Sequence, residues 1–225
     1  MARISAAVAV MVLFGALHVE VMMASQPDTV TTSPRQDPVL RLAQNQPTDS
    51  AATIYRDAIH AVFTIRSDRT LGSGFTFAAG YIVTNAHVVG DSASVDVEEQ
   101  NGDKFRAKVV KKDVEHDFAI LEPEGVRPFT TILPLPTGNV PAIGEGIVVI
   151  GSPGGLKGTL TTGIVSQIYP EGLVQLNVAV NPGNSGGPVL DMHGHVFGIA
   201  TFKYMKGDGI GFAIPISWVK PEGGK

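Results

Sequence analysis

The chain has 225 residues, with 26 glycines, 15 prolines and only 17% charged residues. So many breakers exclude a helical bundle and point to an all-β fold with many turns. A net charge of -4 argues against a general nucleic-acid binder, which needs a basic face against phosphates, and the absence of cysteine excludes disulfides, a thiolate zinc site and a cysteine nucleophile.

In chain order, Arg3 supplies a positive start and Ile4 to Leu17 is almost entirely apolar, until His18 and Glu20 interrupt it. That run is shorter than the roughly 20 residues a membrane span needs, and it fits the apolar core of a secretory signal. Residues 1–24 are therefore expected to be a signal peptide cut after Ala24 or, uncut, an N-terminal anchor. Either case places the protein in the periplasm, the cell envelope or the extracellular space. Residues 25–51 are rich in Pro, Gln, Thr, Ser and Asp and read as a flexible linker. Asp49 or Ser50 would cap a short helix over Ala51–Ile59.

From His60 onward the period changes to two. Strands are predicted at Gly74–Phe77, Tyr81–Thr84, Ser94–Val97, Phe105–Val110, Phe118–Leu121 and Ile147–Ile150. Further strands are predicted at Gly163–Ile168, Leu173–Val178, Val189–Leu190, His195–Phe202 and Gly211–Ile214. Turn signals such as Asn101-Gly102, Glu171-Gly172 and His193-Gly194 separate most of them. Lys104, Arg106 and Lys108 alternate and so share one strand face, which reads as a solvated surface. Pro128–Pro141 holds four prolines and is the best candidate for a connection between two β halves. The domain is expected over 52–220, with halves at about 52–130 and 140–220.

Three segments carry chemistry. Gly183-Asn184-Ser185-Gly186-Gly187-Pro188 surrounds a serine with glycines. A serine hydroxyl is a poor nucleophile unless a base takes its proton, and it must sit where backbone N–H groups meet the developing oxyanion. Gly183, Asn184 and Ser185 would form that oxyanion hole. By itself the segment also reads as a plain β-turn. Thr84-Asn85-Ala86-His87-Val88-Val89 offers a histidine, the residue whose pKa suits a general base. Alone, His87 also reads as structural. Asp117 opens the apolar strand Phe118–Leu121, where a buried acid needs a partner, and Asp91, Asp96, Asp103 and Asp113 are competitors. Together the order His, Asp, Ser is the chymotrypsin-type order of a catalytic triad. It places His87 and Asp117 in the first half and Ser185 in the second, so the site would lie between two barrels.

These three segments, with Val149-Ile150-Gly151-Ser152-Pro153, Thr162-Gly163-Ile164-Val165-Ser166 and Gly209-Ile210-Gly211-Phe212-Ala213-Ile214-Pro215, resemble the HtrA/Deg family of trypsin-like serine proteases. The resemblance runs from about residue 52 to 220. It implies two packed antiparallel six-stranded β-barrels of the chymotrypsin-like kind, with a short N-terminal helix. It also implies endopeptidase action on unfolded or misfolded envelope proteins, with His87 as base, Asp117 as orienting acid and Ser185 as nucleophile. Family members usually carry PDZ domains after the protease domain, and many have a long loop near the first strands. This chain stops about ten residues past Pro215, and Ile65 to Gly74 is short. Both a homo-oligomer and a monomer therefore stay open.

In chymotrypsin-like folds the residue six before the nucleophile lies at the base of the primary pocket. Here it is Ala179, with Ile199-Ala200-Thr201 as the expected wall and Phe212-Ala213 opposite. A small apolar pocket is expected, preferring Val, Ala or Ile before the cut bond. Asn184, where zymogen-type relatives use Asp, excludes activation through an ion pair with a new N-terminus. His193 and His195 do not complete a metal site, and Gly151–Gly155 lacks the Lys of a phosphate loop, so neither metal nor cofactor is expected. Two alternatives remain: a glutamyl-endopeptidase-like relative, and a catalytically idle binding module on a protease scaffold.

Overall fold

The computed structural model describes residues 50–219, apart from 79, 126–128, 137–140, 179–181 and 202–209. Ser50 caps helix α1 (Ala51–Ala58), its hydroxyl accepting from the Thr53 N–H at 3.2 Å. Of the two expected caps, Ser50 is the one used. Ile54 and Ala58 lie one turn apart and are the two residues of α1 that are buried.

The first six strands are β1 (Val62–Arg66), β2 (Leu71–Ala78), β3 (Tyr81–Thr84), β4 (Ser94–Glu98), β5 (Lys104–Asp113) and β6 (Phe118–Pro123). A one-turn helix, α2 (Ala86–Val89), follows β3. These strands close into an antiparallel barrel in the order β1-β2-β3-β6-β5-β4. The second six are β7 (Gly146–Gly151), β8 (Thr159–Ile168), β9 (Val174–Leu176), β10 (Pro188–Asp191), β11 (Val196–Thr201) and β12 (Gly211–Pro215). They close as β10-β11-β12-β9-β8-β7. Closure removes the open edges that would otherwise invite pairing with other chains. The expected all-β double barrel with a short leading helix is the observed fold.

Several strands are apolar on both faces, and the packing explains why. On β6, Ala119 and Leu121 fill the first barrel, while Phe118 and Ile120 face the layer between the barrels. On β7, Ile147 and Val149 fill the second barrel, and Val148 and Ile150 join that same layer. A period-two strand with two apolar neighbours carries no polar alternation. Each such Phe, Leu, Ile or Val side chain contributes about 1.5–3 kcal/mol when fully buried, so both the barrels and their junction are strongly held.

The connection between the halves is strapped to both. Leu133 N–H donates to Thr76 O at 3.1 Å, and Val196 N–H donates to Pro134 O at 2.9 Å. The basic strand face behaves as the alternation implies: Lys104, Arg106 and Lys108 are all exposed. Arg106 pairs with Asp96 at 3.1 Å, and Lys104 lies 3.8 Å from Glu98.

Candidate active site

Each of the three chemistry-bearing segments leaves a rigid element. Thr84 ends β3, and the chain turns directly into α2, so His87 sits one step inside a helix rather than on the strand itself. Val88 and Val89 are fully buried in the first barrel's core and anchor that short helix. His87 is left as its half-exposed residue.

Asp117 comes from the turn between β5 and β6. Asp113 shapes this turn by accepting the His116 N–H at 2.9 Å and pairing with the His116 ring at 2.9 Å. The backbone N–H of His116 is the main reason the Asp113 carboxyl lies below its usual range, with burial opposing it. Asp117 then takes φ +56°, the only positive φ at a non-glycine position among the described residues. Asp tolerates this left-handed conformation better than most residues. The turn points its carboxylate inward, where Asp117 is 1% exposed.

Four donors meet Asp117. His87 Nδ1 lies 3.0 Å from Oδ1 and 2.9 Å from Oδ2. The His87 backbone N–H donates to Oδ1 at 3.1 Å, and Thr201 Oγ1 donates to Oδ2 at 3.0 Å. Asn85 Nδ2 donates to the Asp117 backbone carbonyl at 3.0 Å and fixes the turn from below. A carboxylate only accepts, so Nδ1 is the protonated ring nitrogen and Nε2 is the acceptor in neutral His87. The competing acids go elsewhere. Asp96 pairs with Arg106, Asp103 with Asn101, Asp113 with His116, and Asp91 lies 3.7 Å from Lys112.

Ser185 lies in the tight turn before β10. Gly183 and Gly186, on either side of it, must be glycine for reasons of space. Gly186 holds φ +88°, and a Cβ there would overlap Ser73 O and Thr84 Oγ1. A Cβ on Gly183, at φ +110°, would overlap the Ser152 carbonyl and Pro153. The Ser185 hydroxyl is buried and makes no hydrogen bond among the described residues. The Oγ–Nε2 bond between Ser185 and His87 is thus not made in this arrangement. Such bonds commonly tighten only when substrate arrives.

The backbone around Ser185 is polarised. All four carbonyls from Pro182 to Ser185 are spent: Pro182 O on Gly154 N–H, Gly183 O on Ser152 N–H, Asn184 O on Gly187 N–H, and Ser185 O on Ser73 N–H. The N–H groups of Gly183, Asn184 and Ser185 donate no backbone hydrogen bond among the described residues. Consecutive N–H groups left without backbone partners are an arrangement that can bind an anion.

The expected pocket residues divide differently. Ala179 lies outside the described residues. Ile199 packs in the layer between the barrels, while Ala200 and Ala213 pack in the core of the second. Phe212 is paired in register with Thr201 across β11 and β12. Thr201, read from sequence as pocket wall, spends its hydroxyl on Asp117. Asn184 is 2% exposed, and its Oδ1 packs against Gly151. Sequence reasoning missed Asn85 and Thr201 as supports of Asp117. For Asn85 the signal was available, since a buried polar residue beside a candidate base needs a partner. Among the described residues no cluster of His, Asp and Glu suits a metal ion.

Residues 72–199 match the family of trypsin-like peptidase domains. The chain is 39% identical over 163 residues to the periplasmic serine endoprotease DegP of Salmonella typhimurium, covering 67% of this chain and 34% of that protein. It is 41% identical over 164 residues to a probable DegP-like periplasmic serine endoprotease of Rhizobium meliloti, covering 68% of this chain and 32% of the relative. Among solved structures, the serine endoprotease from Yersinia pestis superposes with a TM-score of 0.68 at 35% identity, over 75% of this chain and 63% of that one. The HtrA-type protease AlgW, solved with a tripeptide, gives 0.67 at 32% identity, over 75% of this chain and 60% of that one. The chain thus spans only part of the length of the relatives it matches. It belongs to the family of trypsin-like peptidase domains, and the relatives it matches are DegP and HtrA-type proteases.

Proposed function

We propose that this chain is a serine endopeptidase that hydrolyses peptide bonds in unfolded or misfolded polypeptides of the cell envelope. The observation that carries this reading is the buried Asp117 carboxylate fixing the His87 tautomer at 2.9 Å, together with a serine turn whose three N–H groups make no backbone hydrogen bond among the described residues. In the reaction, Ser185 Oγ attacks the scissile carbonyl carbon while His87 Nε2 takes its proton. The carbonyl oxygen becomes an oxyanion held by the N–H groups of Gly183 and Ser185, with Asn184 between them. Asp117 stabilises the imidazolium without itself taking the proton. His87 then gives the proton to the leaving amine, and the peptide bond breaks to leave an acyl ester on Ser185. A water repeats the sequence and releases the carboxylic acid and free Ser185.

Support for an envelope location comes from the N-terminal apolar run and from the relatives named as periplasmic endoproteases. Support for a small apolar primary pocket comes from the sequence, since no carboxylate is among Ala179, Ile199, Ala200, Thr201, Phe212 and Ala213; the side chains of Ile199, Ala200 and Ala213 are buried, so what they offer a pocket is backbone. A peptide library is expected to be cut after Val, Ala or Ile at least about tenfold faster than after Lys or Arg, in line with the modest discrimination of apolar pockets. Cleavage chiefly after Lys or Arg contradicts the pocket, and cleavage chiefly after Glu favours the glutamyl-endopeptidase reading. An unfolded protein is expected to be degraded while its folded form survives, with activity lost in Ser185→Ala. An unfolded substrate that is bound but left uncut by the unsubstituted chain would favour the idle binding module.

A further inference from the structure

A serine lies in the middle of β2, fully buried, where an apolar side chain would be the ordinary choice. Ser73 is 0% exposed, and every polar atom it has is used. Its Oγ donates to Gly183 O at 2.6 Å and accepts from Ser152 N–H at 3.0 Å. Its N–H donates to Ser185 O at 2.8 Å. Its carbonyl accepts from Thr84 Oγ1 at 2.6 Å, and Thr84 ends the strand that leads into the His87 helix. A buried hydroxyl is costly unless bonded, and this one is bonded in both directions. It ties the first barrel to the serine turn of the second.

We infer that Ser73 is a positioning residue for the oxyanion donors: its hydroxyl holds the Gly183 carbonyl turned away from the site. This rests on the reading of Ser185 as nucleophile. The reason is peptide geometry. In a trans peptide the C=O and the following N–H point in opposite directions. Pinning Gly183 O toward Ser73 and Ser152 therefore aims the Asn184 N–H the other way and holds the one peptide that links the Gly183 and Ser185 donors. Pinning Ser185 O on the Ser73 N–H fixes the peptide that follows the nucleophile. Gly183, with no Cβ, is the residue about which this loop can most easily rotate. Such a rotation would turn a carbonyl oxygen into the space meant for the oxyanion. Ser152 N–H also holds Gly183 O, at 3.1 Å, but Ser73 Oγ grips both groups of that contact, so its loss loosens both. Through Thr84, the same residue links the donor loop to the end of the strand that leads into the His87 helix.

The test compares the full chain with Ser73→Ala, Ser73→Cys and Thr64→Val. Cysteine is close to serine in size but a weak donor, so it reads the lost hydrogen bond if the alanine variant does not fold. Thr64 Oγ1 bonds Ser152 Oγ at 2.8 Å in the same buried cluster without touching Gly183, so it controls for a merely structural loss. Both Ser73 variants are expected to lower kcat about 10–100-fold, somewhat below the loss of a direct oxyanion donor, with KM changed by less than about threefold. Affinity for a peptide boronate, which mimics the tetrahedral state, should fall by the same factor as kcat. Thr64→Val is expected to keep kcat. Unchanged kcat and boronate affinity in both Ser73 variants overturn the inference, as does an equal loss of kcat in Thr64→Val. Turnover that is absent from the unsubstituted chain, or that survives Ser185→Ala, instead strikes the nucleophile assignment and this inference with it.

Discussion

Asp117→Asn is expected to lower kcat by about 10⁴ at neutral pH while leaving the fold intact. The geometry gives the reason. Asp117 accepts from His87 Nδ1 through both oxygens, so Nδ1 carries the proton and Nε2 faces the nucleophile as an acceptor. An asparagine amide pointed at Nδ1 reverses this. Nδ1 becomes the acceptor, Nε2 carries the proton, and His87 can no longer take one from Ser185. The backbone should not suffer, because Asn shares with Asp its tolerance of the φ +56° found at this position. The remaining amide oxygen can still receive the His87 backbone N–H or the Thr201 hydroxyl. Steady-state kinetics, a thermal melt and nitrogen NMR of the His87 ring check the three parts separately. Near-normal kcat with the Nε2-protonated tautomer would contradict the role given to Asp117.

Gly186→Ala is expected to cost about 2–6 kcal/mol of stability, from left-handed backbone strain and overpacking together, and to abolish activity. At φ +88° a Cβ on Gly186 overlaps the Ser73 carbonyl and the Thr84 hydroxyl. Neither can step aside. Those two groups are bonded to each other at 2.6 Å, and the Gly186 N–H is itself held by Ala200 O at 2.9 Å. Gly194→Ala is the control. Gly194 also has positive φ, at +79°, but a Cβ there meets nothing within 4 Å. Only the backbone term of about 1–2 kcal/mol applies, and turnover should persist. Equal melting temperatures for the two variants would contradict the packing argument.

Much of the fold could be read from the sequence because strands and turns leave local marks. Tyr81–Thr84 was bounded as observed, and Ser50 was one of two named caps. The misses have local causes too. β5 runs on to Asp113 past an irregularity between Val109 and Lys111, and its last three residues, Lys111, Lys112 and Asp113, are all charged, so no apolar alternation marks them in the sequence. β8 starts at Thr159 rather than Gly163; Thr159, Leu160 and Thr161 are all partly buried, so no alternation marks its start. α2 has four residues, too few for a helical period to show, so the helix that carries His87 leaves no mark in the sequence.

At the site, the residue types carried His87, Asp117 and Ser185 only as a set, since each alone had an ordinary structural reading. What stayed hidden was long-range. Thr201 reaches Asp117 across 84 residues, and Ser73 reaches Gly183 across 110. Those contacts depend on how one barrel is set against the other. A sequence pattern along a single strand does not encode that placement. The pocket-wall reading of Thr201 thus gives no hint that its hydroxyl also supports Asp117.

The central claim is that Ser185 is an activated nucleophile. It is tested most directly by exposing the chain to a fluorophosphonate, which phosphonylates an activated serine, and measuring the adduct by intact mass and peptide mapping. The account requires one adduct per chain, mapped to Ser185 and absent from Ser185→Ala. A folded chain that takes up no label, or label that persists in Ser185→Ala, would contradict it.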